Sequence, residues 1–96
     1  MKKYEIMFIV KPDLEEVQIK NEVSSMKKNL ENNGAKILEE KDMGQRELAY
    51  EIKKYNNGHY FLFVIETKDN KATCEFDRLA LISENIIRHL IIRVDE

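Results

Sequence analysis

IMFIV, residues 6–10, and YFLFVI, residues 60–65, decide the fold between them. Each is apolar at every position, and each is too short to be a core helix. Alternate residues of a strand point to opposite faces, so a strand that is apolar throughout must bury both faces and sit inside a sheet. The stretches therefore predict two central strands, over Lys3–Val10 and His59–Thr67.

Working outward from the first, Lys11-Pro12-Asp13 ends the strand, with Asp13 placed to accept hydrogen bonds at a helix start. From about Glu15 to Asn33 the apolar residues Ile19, Val23, Met26 and Leu30 fall on one helical stripe. Glu15 and Glu16 suit its N-terminal dipole, and Gly34 suits a left-handed C-cap. Ala35 to about Lys54 is extended, with a break or bulge around Lys41-Asp42-Met43-Gly44, and Asn56-Asn57-Gly58 predicts a hairpin into the second central strand. Beyond that strand, Lys71 to about Ile82 places Ala72, Phe76, Leu79 and Ile82 at helical spacing. Ile86–Val94, rich in β-branched residues, reads as a last strand.

The element order, strand-helix-strand-strand-helix-strand, predicts an α+β fold of ferredoxin-like, split β-α-β type. Its antiparallel sheet has spatial order 4-1-3-2, with both helices on one face and the two doubly apolar strands in the middle. Residues 1–96 are expected to form a single domain. This arrangement leaves a problem. The residues of both central strands that point away from the helices would form an open apolar surface, larger than a small monomer usually tolerates. Strand twist and long neighbouring side chains could shield it; a partner covering it is the better explanation.

Composition sets the remaining bounds. Hydrophobic residues at 43% and charged residues at 35% are ordinary for a globular domain and exclude the disordered class. No apolar run approaches the roughly 18 residues needed to span a bilayer, so no membrane association is expected. The opening MKKYEIMFIV has lysines before apolar residues but no small-residue cleavage site, so it reads as a strand rather than a signal peptide. Cys74 is the only cysteine, which excludes an internal disulfide and fits a reducing compartment such as bacterial or organellar cytosol.

Catalytic and cofactor chemistry finds no support. The segment after the first strand has no glycine-rich phosphate loop, and His59, His89 and Cys74 fall on different elements without metal-ligand spacing. No cofactor, metal or small-molecule substrate is expected. His59 is expected to be solvated or phosphate-facing, His89 to be half-buried and structural, and Glu39, Glu40 and Asp42 to form a solvated surface. The net charge of –2 does not mark a nucleic-acid binder, but affinity for phosphate depends on where the cations cluster. The topology brings Lys2 and Lys3 towards Arg93 at one end of the sheet. It gathers Lys11, Lys53 and Lys54 with Arg88 at the other.

YEIMFIVKPDL (residues 4–14), GQRELAYEIKK (44–54), GHYFLFVIE (58–66) and ENIIRHLIIR (84–93) together resemble the bacterial ribosomal small-subunit protein six family. The correspondence runs over essentially the whole chain in the same element order. Its most specific features are Tyr4-Glu5, Pro12, Gly34 and the block Gly44-x-Arg46-x-Leu48-Ala49-Tyr50-x-Ile52. The long acidic C-terminal tail of some members has no counterpart here, so no role of that tail carries over. The resemblance implies a structural ribosomal protein of the cytoplasm. Its expected partners are the central domain of small-subunit ribosomal RNA and small-subunit protein eighteen, with which it would form a heterodimer. By placement, Lys2, Lys3, Lys54, Arg88 and Arg93 are the phosphate candidates, with Tyr4 stacking or hydrogen-bonding nearby. Arg46 and Tyr50, on an exposed edge strand, are the candidates for protein docking, while Leu48 and Ile52 read as core.

Two rivals share the topology. An RNA-recognition motif would need its basic-Gly-aromatic-Gly-aromatic pattern on the third strand, which NGHYFLFVIE lacks. An acylphosphatase-like enzyme, or another small-molecule module, wants a phosphate-cradling loop with an arginine after the first strand; Lys11-Pro12-Asp13 does not supply one.

Overall fold

A computed structural model describes residues 2–94 of the chain. The elements are β1 (Lys2–Val10), α1 (Glu16–Asn32), β2 (Lys36–Ile52), β3 (Tyr55–Thr67), α2 (Lys71–Ile82) and β4 (Ile86–Arg93). The strands form one sheet of order β2-β3-β1-β4, antiparallel at every pairing. This is the order expected from the two doubly apolar stretches, which occupy its centre as β1 and β3.

One face of the sheet carries the main core. Ile6, Phe8 and Val10 of β1 and Phe61, Phe63 and Ile65 of β3 point the same way, onto Ile19, Val23, Met26 and Leu30 of α1 and Ala72, Phe76 and Ala80 of α2. Phe8 is the hub, with ring centroids 5.4 Å from Phe61 and Phe63 and 5.6 Å from Phe76. Offset and edge-on pairs of this kind stabilise beyond the area they bury. Among the described residues, neither helix is long and apolar enough to cross a membrane.

The caps of α1 show what the local sequence achieves. Glu15, not Asp13, takes the N-cap position, and its N–H donates to Gln18 Oε1 at 3.0 Å. Asp13 instead accepts a bond from the Tyr55 hydroxyl at 3.4 Å. At the other end Gly34 adopts φ +92°, which frees its N–H to bond Glu31 O and the Ala35 N–H to bond Leu30 O. That paired closure satisfies two carbonyls the helix would otherwise strand, and it tucks Ala35 against the core beside Leu30.

Two local expectations need correction. In α2 the buried stripe is Ala72, Thr73, Phe76 and Ala80, while Ile82 is exposed. Each helical residue turns by about 100°, so a position six beyond Phe76 faces away from the core. The hairpin turn also lies earlier than Asn56–Gly58. Its central residues are Lys53 and Lys54, both at positive φ (50° and 72°), and β3 has already begun at Tyr55. Gly58 serves packing instead: a Cβ there would lie 2.3 Å from Ile9 Cγ2 and 3.2 Å from the Val10 carbonyl. A glycine inside a strand marks close approach of a neighbouring chain segment as readily as it marks a turn, and here it marks the former.

Candidate functional site

The face of the sheet opposite the helices is assembled from the other half of the same strands. Register places Glu5 beside Val64 and Ile92, Met7 beside Leu62 and Leu90, and Ile9 beside Tyr60 and Arg88. Met7, Leu62 and Val64 are half-buried on this face, and Leu90 and Ile92 beside them each remain 47% exposed. The apolar surface expected from the sequence is therefore only partly open on this half of the face, and its exposed residues belong to β4 rather than to the two central strands.

The other half is covered by the protein itself. β3 outruns β1, whose last residue Val10 pairs with His59, so β2 and β3 continue alone as a two-stranded ribbon from Arg46 and Gly58 to the lysine turn. Two-stranded ribbons twist more than wide sheets. A break in the β2–β3 register between Asp42 and Gly44, where Gly44 takes φ +77°, adds a bulge at the ribbon's base. The ribbon curls over the sheet and buries Leu48 against Ile9 and Ile87, with Ile52, Tyr55 and Tyr60 at the margin. Leu48 and Ile52 thus do pack, as expected, but in a second small core. Tyr50, further along, reaches over β3 and β1 to β4, where its hydroxyl accepts a hydrogen bond from Arg88 Nη1 at 2.5 Å. Together they bound a groove of about 240 Å³ lined by Met7, Ile9, Leu48, Tyr60 and Leu90.

The basic candidates do separate into two ends. Lys2, Lys3 and Tyr4 open β1 beside Arg93, with the Val94 N–H bonded to Lys3 O at 2.9 Å. Lys3 and Arg93 are exposed, and Tyr4 is half-buried against the main core. Lys54 stands exposed on the hairpin turn, and Arg88 lies on the bare face near the start of β4. The five phosphate candidates and Tyr4 are thus divided between the β1–β4 end of the sheet, the hairpin turn and the start of β4. Arg46 is exposed opposite Gly58, its Nε donating to Met43 O at 3.3 Å. Arg88 and Tyr50, assigned separately to RNA and to protein, are bonded to each other.

His59 departs from expectation. Its side chain is half-buried and paired: the ring stacks on Phe61 at 4.5 Å and 5°, and Nε2 lies 2.5 Å from Asp42 Oδ1. The same carboxylate oxygen accepts the Gly44 N–H at 2.9 Å, so Asp42 ties the bulge to β3. Burial pushes the Asp42 carboxyl up, but the bonds from His59 and Gly44 outweigh it and hold it below the usual carboxylate range. The acidic run lies on the solvated surface, as expected, and is paired there: Glu40 meets Lys27 at 2.8 Å and Glu39 meets Lys41 at 3.2 Å. The register sets Asp42 against Phe61, two residues from His59 and so on the same face of the ribbon, a juxtaposition that a turn at Asn56–Gly58 would not produce. His89 is half-buried, as expected, with Nε2 at 2.6 Å from Asp77. Among the described residues no group of His, Cys, Asp and Glu is arranged to hold a metal ion.

A model of the family described as ribosomal protein S6 matches residues 3–93. The chain belongs to the ribosomal protein S6 family. The crystal structure of 30S ribosomal protein S6 from Thermotoga maritima is similar at 34% identity, with a TM-score of 0.91 over 97% of this chain and 87% of that one. Membership makes the chain a structural, non-enzymatic constituent of the small ribosomal subunit.

Proposed function

We propose that the chain, acting as one domain over residues 1–96, binds the central domain of small-subunit ribosomal RNA cooperatively with small-subunit protein eighteen during assembly in the cytoplasm. The observation that supports this is the pairing of an uncovered apolar sheet face with basic sheet ends. An apolar face is matched by protein, and exposed lysines and arginines are matched by phosphate. In this reading Lys2, Lys3 and Arg93, with Tyr4, contact RNA from one end, and Lys54 and Arg88 from the other. Arg46 and Tyr50 on the curled ribbon meet the protein partner. The basic residues are divided between separate places and each phosphate contact is weakened by salt, so RNA alone should not hold the chain tightly.

The test is a binding titration against a central-domain ribosomal RNA fragment, with and without protein eighteen. Weak binding alone and tight binding in its presence support the reading. Equal affinity in both, or none in either, overturns it.

A further inference from the structure

The ribbon beyond Gly44 and Gly58 differs from the rest of the sheet in four respects. Among the described residues no third strand pairs beside it. Its ladder is irregular, with the register shifting between Glu47 and Ile52. Its turn sets two lysines at positive φ, where glycine or asparagine is at ease and a lysine is strained. Finally, its hold on the body is one small cluster, Leu48 on Ile9 and Ile87 with Ile52 and Tyr55 alongside, together with the Tyr50–Arg88 bond and a long Tyr55–Asp13 bond of 3.4 Å. Two of the chain's three glycines, Gly44 and Gly58, stand at the base of its two legs. A two-stranded hairpin is marginal unless it packs against something, so a weak hold means local opening.

We propose that residues 46–57 form a strap that opens as a unit while the remainder stays folded, uncovering Ile9, Ile87 and Tyr60 and releasing Arg88 from Tyr50. Closed, the strap covers half of the bare face and engages the arginine. Open, it makes that face continuous from Ile87 to Ile92 and leaves the guanidinium available to an outside acceptor. The proposal concerns the free protein and holds whether or not RNA or protein eighteen binds.

Native-state hydrogen exchange, followed amide by amide in the purified full chain, decides it. A strap that opens locally exchanges faster than β1 and β3, with little dependence on denaturant. Val23→Ala in the main core should speed the β1 and β3 amides by roughly tenfold and leave the strap within about twofold, because that core stays intact when the strap opens. Tyr50→Phe and Arg88→Gln should each speed strap exchange about three- to tenfold, and the double variant no more than either alone, since both remove one bond. If strap amides follow Val23→Ala by the same factor as β1 and β3, the ribbon belongs to one cooperative unit and the proposal fails. Fully additive effects at Tyr50 and Arg88 would likewise remove the latch.

Discussion

The two faces of this sheet are drawn from alternate residues of the same four strands, yet they are stabilised differently. Under the helices, Ile6, Phe8, Phe63 and Ile65 are fully buried, and the core continues unbroken from α1 to α2. On the other side, the fully covered cluster is limited to Ile9, Leu48 and Ile87, and the apolar surface beside it stays open. The difference teaches that apolar alternation specifies two faces but says nothing about how each will be covered. Helices long enough to span a sheet seal one side; a twisting ribbon seals only as far as it reaches. A ribosomal protein is finished by its neighbours, so an incompletely covered side is compatible with its role.

The contrast can be broken most severely from the helical side. Phe63→Ala removes a fully buried ring that meets Phe8 edge-on, and a loss of about 3–5 kcal/mol is expected in urea unfolding. A loss below 1 kcal/mol would mean that the aromatic hub is not the principal core. Gly58→Ala strikes the junction between the two sides. Its Cβ would meet the β-branched Ile9 side chain and, behind it, backbone, so about 2–3 kcal/mol should go, with the strap displaced. An unchanged midpoint would show that the ribbon can shift away from Ile9 and β1 without cost.

Two milder changes sharpen the comparison from the strap side. Replacing Lys53-Lys54 by Asn-Gly relieves both positive-φ lysines, and a gain of about 1 kcal/mol is expected in thermal or urea unfolding. A net loss would show that the lysines contribute contacts that outweigh their strain. The smallest effect belongs to Asp42, whose carboxyl is held below its ordinary range when folded. The stability it contributes is present above the unfolded carboxylate value and lost as pH falls through the lower, folded one. Asp42→Asn should therefore differ from the parent at neutral pH and converge with it in acid. A gap that stayed constant with pH would assign the effect to shape rather than charge.

Much of this was legible in the chain. The stripe Ile19-Val23-Met26-Leu30 and the cap at Gly34 are local devices, set by helical geometry and by the one residue at ease in the left-handed region. Strand order followed because IMFIV and YFLFVI could be satisfied only in the middle of a sheet. What was not legible depended on register. Asp42 and His59, Tyr50 and Arg88, and Gly58 and Ile9 are separated by 17, 38 and 49 residues respectively, and no short-range pattern links them. Moving the turn from Asn56–Gly58 to Lys53-Lys54 was enough to conceal the first pair.

The sequence by itself determined the elements, their order in the sheet, the helix-covered core and the existence of a second apolar face, because periodicity and caps act over a few residues. Only the tertiary structure decided how that second face is divided between a self-made cover and open surface. That division depends on how far β3 outruns β1 and how sharply the free ribbon twists at Gly44. Both are properties of strands meeting in space, where twist accumulates between residues that the chain keeps far apart.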